Sequence, residues 1–249
     1  MEAATDGCLA AAKGAAYSAL LSIFPVLSTI TAILAQVKAE QFADTLARIL
    51  FQVAPPGTEE LLEHTLRSQG ERPIYLLIGA GILSVFAASG VMLSLMEGFH
   101  AAYRTRNTRN FWKNRLIAMG LVVIVALPLL AISAFVVVTG STAYLLASFV
   151  AVAVVTLILY RFGPDRSPER EKETLWPGSL LASFLWMMVT AGFLYYVRNL
   201  ANYNVIYGSI AAVIALLVWL YLLMISVLIG CEYNAVRERE LNGGIEMAR

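Results

Sequence analysis

Charge is scarce in this 249-residue chain: Asp, Glu, Lys and Arg make up 14% of it. An ordinary soluble domain holds about 25%. Histidine is rarer still, with two residues, His64 and His100, and cysteine appears twice, as Cys8 and Cys231. Two cysteines so far apart in sequence resemble neither a disulfide framework nor a metal motif. The sequence contains no His-x-x-x-His, Cys-x-x-Cys, Gly-x-Ser-x-Gly or phosphate loop. Gly79 and Gly81 lie inside an apolar run, without the strand that a nucleotide fingerprint needs. This inventory predicts no enzyme, no metal and no cofactor. The net charge of +1 and the absence of a long like-charged block exclude an acidic or basic tail.

Apolar residues fill the space that charge leaves. They form 59% of the chain, and the mean hydropathy is +0.72. They gather into long runs, and a run of about 18 or more reads as a membrane-spanning helix. Hydrocarbon offers the backbone no hydrogen bonds, so a span must satisfy its own N–H and C=O groups as a helix. The fold class is therefore all-α: a polytopic membrane protein read as a single membrane domain over residues 1–249. Six spans are predicted, at about 14–37, 74–99, 116–138, 143–160, 177–197 and 207–235. The first twelve residues carry two acids ahead of Lys13, the wrong charge order for a signal peptide, so the first span is expected to insert uncleaved.

Lys and Arg set the orientation. The link after the second span, "HAAYRTRNTRNFWKNRL", holds Arg104, Arg106, Arg109, Lys113 and Arg115 and no acid. With Lys13, the 161–175 link and the C-terminal tail, one side carries 13 basic residues and the other 5. Both termini are expected in the cytoplasm. The basic stretch is predicted to bind anionic headgroups, with membrane lipids as partners and no nucleic acid. The sequence leaves a homo-oligomer open.

Outside the bilayer, the 38–73 segment is the sizeable piece. Phe42, Leu46, Ile49, Leu50 and Val53 share one helical face; after "PPG", so do Leu61, Leu62, Thr65 and Leu66. Two short amphipathic helices are expected there, packed in the lipid interface or covering the bundle as a lid.

The informative polar residues are those at membrane depth. Ser18, Ser22, Pro25 and Thr29 recur at helical spacing in the first span; Ser179, Ser183, Trp186 and Thr190 repeat the pattern in the fifth. Such stripes avoid lipid, so they either pack against another helix or line a substrate path. Pro25 should also free the carbonyl of Leu21. Glu97 and Glu232 close their spans with Arg104 and Arg239 seven residues on, either as salt-bridged helix ends or as an ion or gating site. The outer link "NYNVIYGS" reads as a reverse turn at headgroup level. Its Asn202, Asn204 and Tyr207 join the candidate path.

"GAAYSALLSIFP", "FWKNRL", "WPGSLLASFLW", "NYNVIYGSIAAVIALLVWLYL" and "GCEYNA" occur in that order over nearly the whole chain. In this the sequence resembles the YihY/BrkB family of bacterial inner-membrane proteins. The resemblance implies six spans, and transport of a lipid-like or amphipathic solute as the activity. It also implies that the ribonuclease label carried by some members is a misassignment. Three readings follow. The protein is a transporter or flippase with its path between spans one, five and six, a non-transporting structural protein of the envelope, or, against the inventory, an RNA-processing enzyme.

Overall fold

The computed structural model describes residues 2–37, 74–105, 109–139, 144–165, 175–199 and 209–247. They form six helices and no strand. These are α1 (Glu2–Val37), α2 (Ile74–Tyr103), α3 (Phe111–Thr139), α4 (Tyr144–Phe162), α5 (Trp176–Asn199) and α6 (Ser209–Met247). Each contains an apolar stretch long enough to cross a membrane. The amphipathic helices expected in 38–73 and the reverse turn expected at "NYNVIYGS" fall on residues outside those described, as do residues 140–143.

The helices outrun the spans predicted from hydropathy, by the most at three ends. α1 starts at Glu2 instead of 14, α3 starts at Phe111, and α6 continues to Met247 instead of 235. Hydropathy marks where hydrocarbon is needed, not where a helix ends. The Ala-rich start of α1 and the Arg/Glu-rich end of α6 have good helix propensity and go on beyond the apolar stretch. α1 and α3 remain helical through Pro25 and Pro128.

The contacts between helices close a ring in chain order, α1 on α2 through to α6 on α1, and the pairs α1–α2 and α5–α6 run antiparallel. α6 also packs against α2. The longest seam is α1 against α2, and its sequence explains why. Small residues at 7, 11, 14 and 18 face small residues at 101, 98, 94 and 90. A methyl group added to Gly98 would lie 3.0 Å from the Ala11 methyl and 2.6 Å from Leu228. Small side chains on both partners let backbones approach, which replaces the hydrophobic drive that helices lack in lipid.

The main buried cluster gathers where α1 begins and α6 ends, around Phe99, Tyr160, Val227 and Cys231. Phe99 meets Tyr160 edge-on at 5.7 Å. The outer faces are apolar too: Ile82, Leu116, Leu146 and Phe184 are all more than half exposed. A water-soluble bundle would not present so many large apolar side chains together. Hydrocarbon is the solvent that suits them.

Candidate functional site

At the start of α5, "LWPGS" meets "GCEYN" near the end of α6. Gly178 and Gly230 face each other so closely that a methyl on either would strike the other's backbone carbonyl, at 2.2 and 2.4 Å. Pro177 occupies the first turn of α5, where a missing N–H costs nothing. The next residue's N–H does need an acceptor, and Asn234 supplies one. Its Oδ1 accepts from Gly178 N at 2.9 Å while its Nδ2 donates to the Leu175 carbonyl at 2.9 Å. Tyr160 brings in α4 by donating to the Val227 carbonyl at 2.6 Å. Thr156 reaches towards the Ser179 carbonyl, though its shorter bond is to Val152 in its own helix, 2.9 Å against 3.5 Å.

Sequence reasoning missed this clasp. The signal was an Asn in a buried run close to the level where another helix starts with unsatisfied N–H groups. Asn234 is that residue.

The hydroxyl stripes resolve into two different environments. On α1, Ser18 lies against Gly90 of α2. The Thr29 and Ser84 hydroxyls lie 2.6 Å apart, each within reach of the Pro25 carbonyl, at 2.9 and 2.6 Å, so one hydroxyl donates to that carbonyl while the other donates to its neighbour. The engaged carbonyl is thus that of Pro25 itself, where sequence reasoning pointed to that of Leu21. Ser22 is buried and donates to Ala19 of its own helix. The α1 stripe therefore packs against α2.

On α5, Ser179 donates to Trp176 and Ser183 to Ser179, each within the helix. Further along, and among the described residues, Thr190 keeps an enclosed Oγ1 with no partner, and Trp219 of α6 keeps an enclosed Nε1 with none. The two belong to one place. Phe193, one turn beyond Thr190, stacks on the Trp219 ring at 5.6 Å. The α1 and α5 stripes share no substantial interface, because α6 packs against both. Asn202, Asn204 and Tyr207 lie outside the described residues.

The acids behave differently from the salt-bridged helix ends weighed above. Glu97 is exposed and Glu232 half-buried, and among the described residues neither forms an ion pair. Arg104 is exposed and holds φ at 52°, just past the end of α2. Arg239 donates to Ala235 and, at 3.4 Å, to Ala102 of α2. The partner of a distant carboxylate is instead Arg109. It meets Asp165 at 3.3 Å and donates to the carbonyls of Gly163 and Pro164. This ties the α2–α3 link to the end of α4.

Of the basic residues predicted to touch headgroups, Arg109 thus has protein partners, while Lys113 is exposed. Arg115 lies over Phe86 of α2, and Arg106 is outside the described residues. Among the described residues no three His, Cys, Asp or Glu side chains cluster as metal ligands would. The arrangement offers helix-to-helix clasps at one end and unpartnered donors further along α5 and α6.

Comparison with known proteins places this architecture. The chain is 29% identical over 245 residues to a ribonuclease-like protein, YfkH, of Bacillus subtilis (strain 168), covering 89% of this chain and 86% of that protein. It is 26% identical to a UPF0761 membrane protein of Alkalilimnicola ehrlichii, covering 92% of this chain and 55% of that one. A UPF0761 membrane protein of Xanthomonas campestris pv. campestris (strain B100) is 27% identical, with 91% and 56% covered. The chain thus spans little more than half the length of these UPF0761 relatives. No solved structure matches it. The profile of the Virulence factor BrkB family matches residues 2–249, and with six apolar helices to carry that match the chain is an integral membrane protein of the BrkB family.

Proposed function

We propose that this protein moves a lipid-like or amphipathic solute across the bacterial inner membrane, with both termini in the cytoplasm. The path runs along α5 and α6, where Thr190 and Trp219 present donors to the solute. The observation that carries this reading is the enclosed Trp219 Nε1, which has no acceptor among the described residues. A threonine can turn its hydroxyl onto its own helix, but an indole N–H has no such outlet. Leaving a buried donor unpaired costs about 1–3 kcal/mol. A solute with acceptor oxygens, such as a phosphate, ester or sugar hydroxyl, removes that cost when it enters. Glu97 and Glu232, neither of them ion-paired among the described residues, stand at the cytoplasmic end as the gate of this path.

The termini are assigned to the cytoplasm by the excess of Lys and Arg on one side. Cysteine accessibility at introduced sites in loops 104–110 and 200–208 tests that assignment directly. Transport itself is tested with purified protein in liposomes carrying fluorescent lipids. Movement faster than in empty vesicles supports the reading, and equal rates contradict it for the lipids used.

A second reading, a structural protein of the envelope, is favoured by the α1–α2 seam. There Ser22, Thr29 and Ser84 are hydrogen-bonded within the protein and offer nothing to a solute. It predicts that removing the Trp219 N–H changes no transport rate.

A further inference from the structure

α3 begins at Phe111, so its fifth residue, Arg115, stands one turn inside the helix and within the apolar stretch Phe111–Pro128. Lys113, two residues earlier, is exposed. Arg115 is not: its side chain lies on α2. The guanidinium carbon sits 4.0 Å from the centre of the Phe86 ring, and one terminal nitrogen donates to the Phe86 carbonyl at 3.0 Å. Phe86 is near the middle of α2, inside the apolar stretch Ile78–Tyr103. A full positive charge is therefore held against the apolar part of a spanning helix.

Such a charge is expensive at membrane depth unless something neutralises it. Among the described residues no carboxylate pairs with Arg115. The ring face and one carbonyl satisfy part of the guanidinium, while Nε is enclosed with no partner among the described residues. A planar cation with donors to spare matches a carboxylate or a phosphate, because two N–H groups can meet two oxygens at once, and of the two the phosphate is the anion that every phospholipid of the bilayer carries.

The groove also indicates where the phosphate comes from. Phe86 is half exposed, and Ile82, Leu83 and Leu116 around it are more exposed still. These are the lipid-facing surfaces of α2 and α3. A soluble anion has no wet route along them, whereas a phospholipid brings its phosphate with chains that such surfaces accept.

We propose that Arg115, stacked on Phe86 in the groove between α2 and α3, binds the phosphate of an anionic phospholipid from the surrounding bilayer. This site differs from the α5–α6 path and stands whether or not the protein transports. It also separates Arg115 from Arg109, which is engaged with Asp165, and from Lys113, which only adds to a diffuse surface potential.

The test uses delipidated full-length protein in neutral detergent, titrated with phosphatidylglycerol or phosphatidylcholine, with retained lipid read by native mass spectrometry. Wild-type protein should hold phosphatidylglycerol about tenfold more tightly, a difference of about 1.4 kcal/mol. Arg115→Gln should lose that preference, Arg115→Lys should keep part of it, and Lys113→Gln should keep all of it. Wild-type protein with no preference for the anionic lipid would overturn the site without recourse to any variant. So would a loss in Lys113→Gln equal to that in Arg115→Gln, which would reduce the effect to surface attraction. Displacement of the lipid by millimolar inorganic phosphate would assign the site to a soluble anion and overturn the lipid as its source.

Discussion

Two antiparallel seams, α1 with α2 and α5 with α6, start from the same sequence device and end differently. Each carries a stripe of small hydroxyls at helical spacing, and each brings glycine against a partner helix. In the hydroxyl stripe of α1 and α2 the polar atoms answer one another: Thr29, Ser84 and the Pro25 carbonyl form one closed set. Along α5 and α6 the use stops partway. The end near Gly178 is bound by Asn234 and Tyr160, while Thr190 and Trp219 keep donors with no acceptor. A hydroxyl stripe is therefore no guide to a solute path on its own. The informative feature is a donor that the helices leave unanswered.

The contrast breaks most severely at Gly178. In Gly178→Ala the new methyl meets the Gly230 carbonyl at 2.2 Å and Asn234 at 2.4 Å, in a place where backbone must move. Overpacking of that kind costs about 3 kcal/mol. The expected result is a large loss of folded protein in detergent, read by thermal unfolding and gel filtration. Asn234→Ala comes next. It leaves the Gly178 N–H bare and the Leu175 carbonyl with the Ser179 N–H alone, a loss of about 2 kcal/mol in the same assay.

The other seam should respond more gently. In Gly98→Ala the closest atom is the far end of Leu228, which can turn aside, with the Ala11 methyl at 3.0 Å. A cost of about 1–2 kcal/mol is expected. Ser84→Ala removes one interhelical set at about 0.6 kcal/mol, the mean found for hydrogen bonds between helices in a bilayer. If Ser84→Ala destabilised the protein as much as Asn234→Ala, the distinction between a packing seam and a clasp would fail.

The spans were the most legible part of the protein. A chain that must satisfy its backbone in oil has one way to do so, and the runs of Leu, Ile, Val and Ala mark each helix. Helix ends were less legible, because segments such as Glu2–Lys13 of α1 and Arg237–Met247 of α6 carry charge yet remain helical. The candidate residues were legible as residues but not as pairs. Spacing shows that Ser18, Ser22 and Thr29 share a face; it does not say whether that face meets α2 or a solute. Asn234 and Trp219 were hidden for a related reason. Each looks unremarkable in its own helix and gains its meaning from the helix opposite. Glu97 and Glu232 carried a nearby arginine on the same face, and spacing alone did not secure an ion pair.

The double variant Thr190→Val with Trp219→Phe tests the account most directly. It removes both unanswered donors and keeps an aromatic ring to stack on Phe193, with a small gap where the larger indole stood. Lipid movement in liposomes should fall by about tenfold, the worth of roughly 1.4 kcal/mol in the path, while thermal stability falls no further than it does in Trp219→Phe alone. An unchanged rate would contradict the account, and so would a rate that falls only in step with stability.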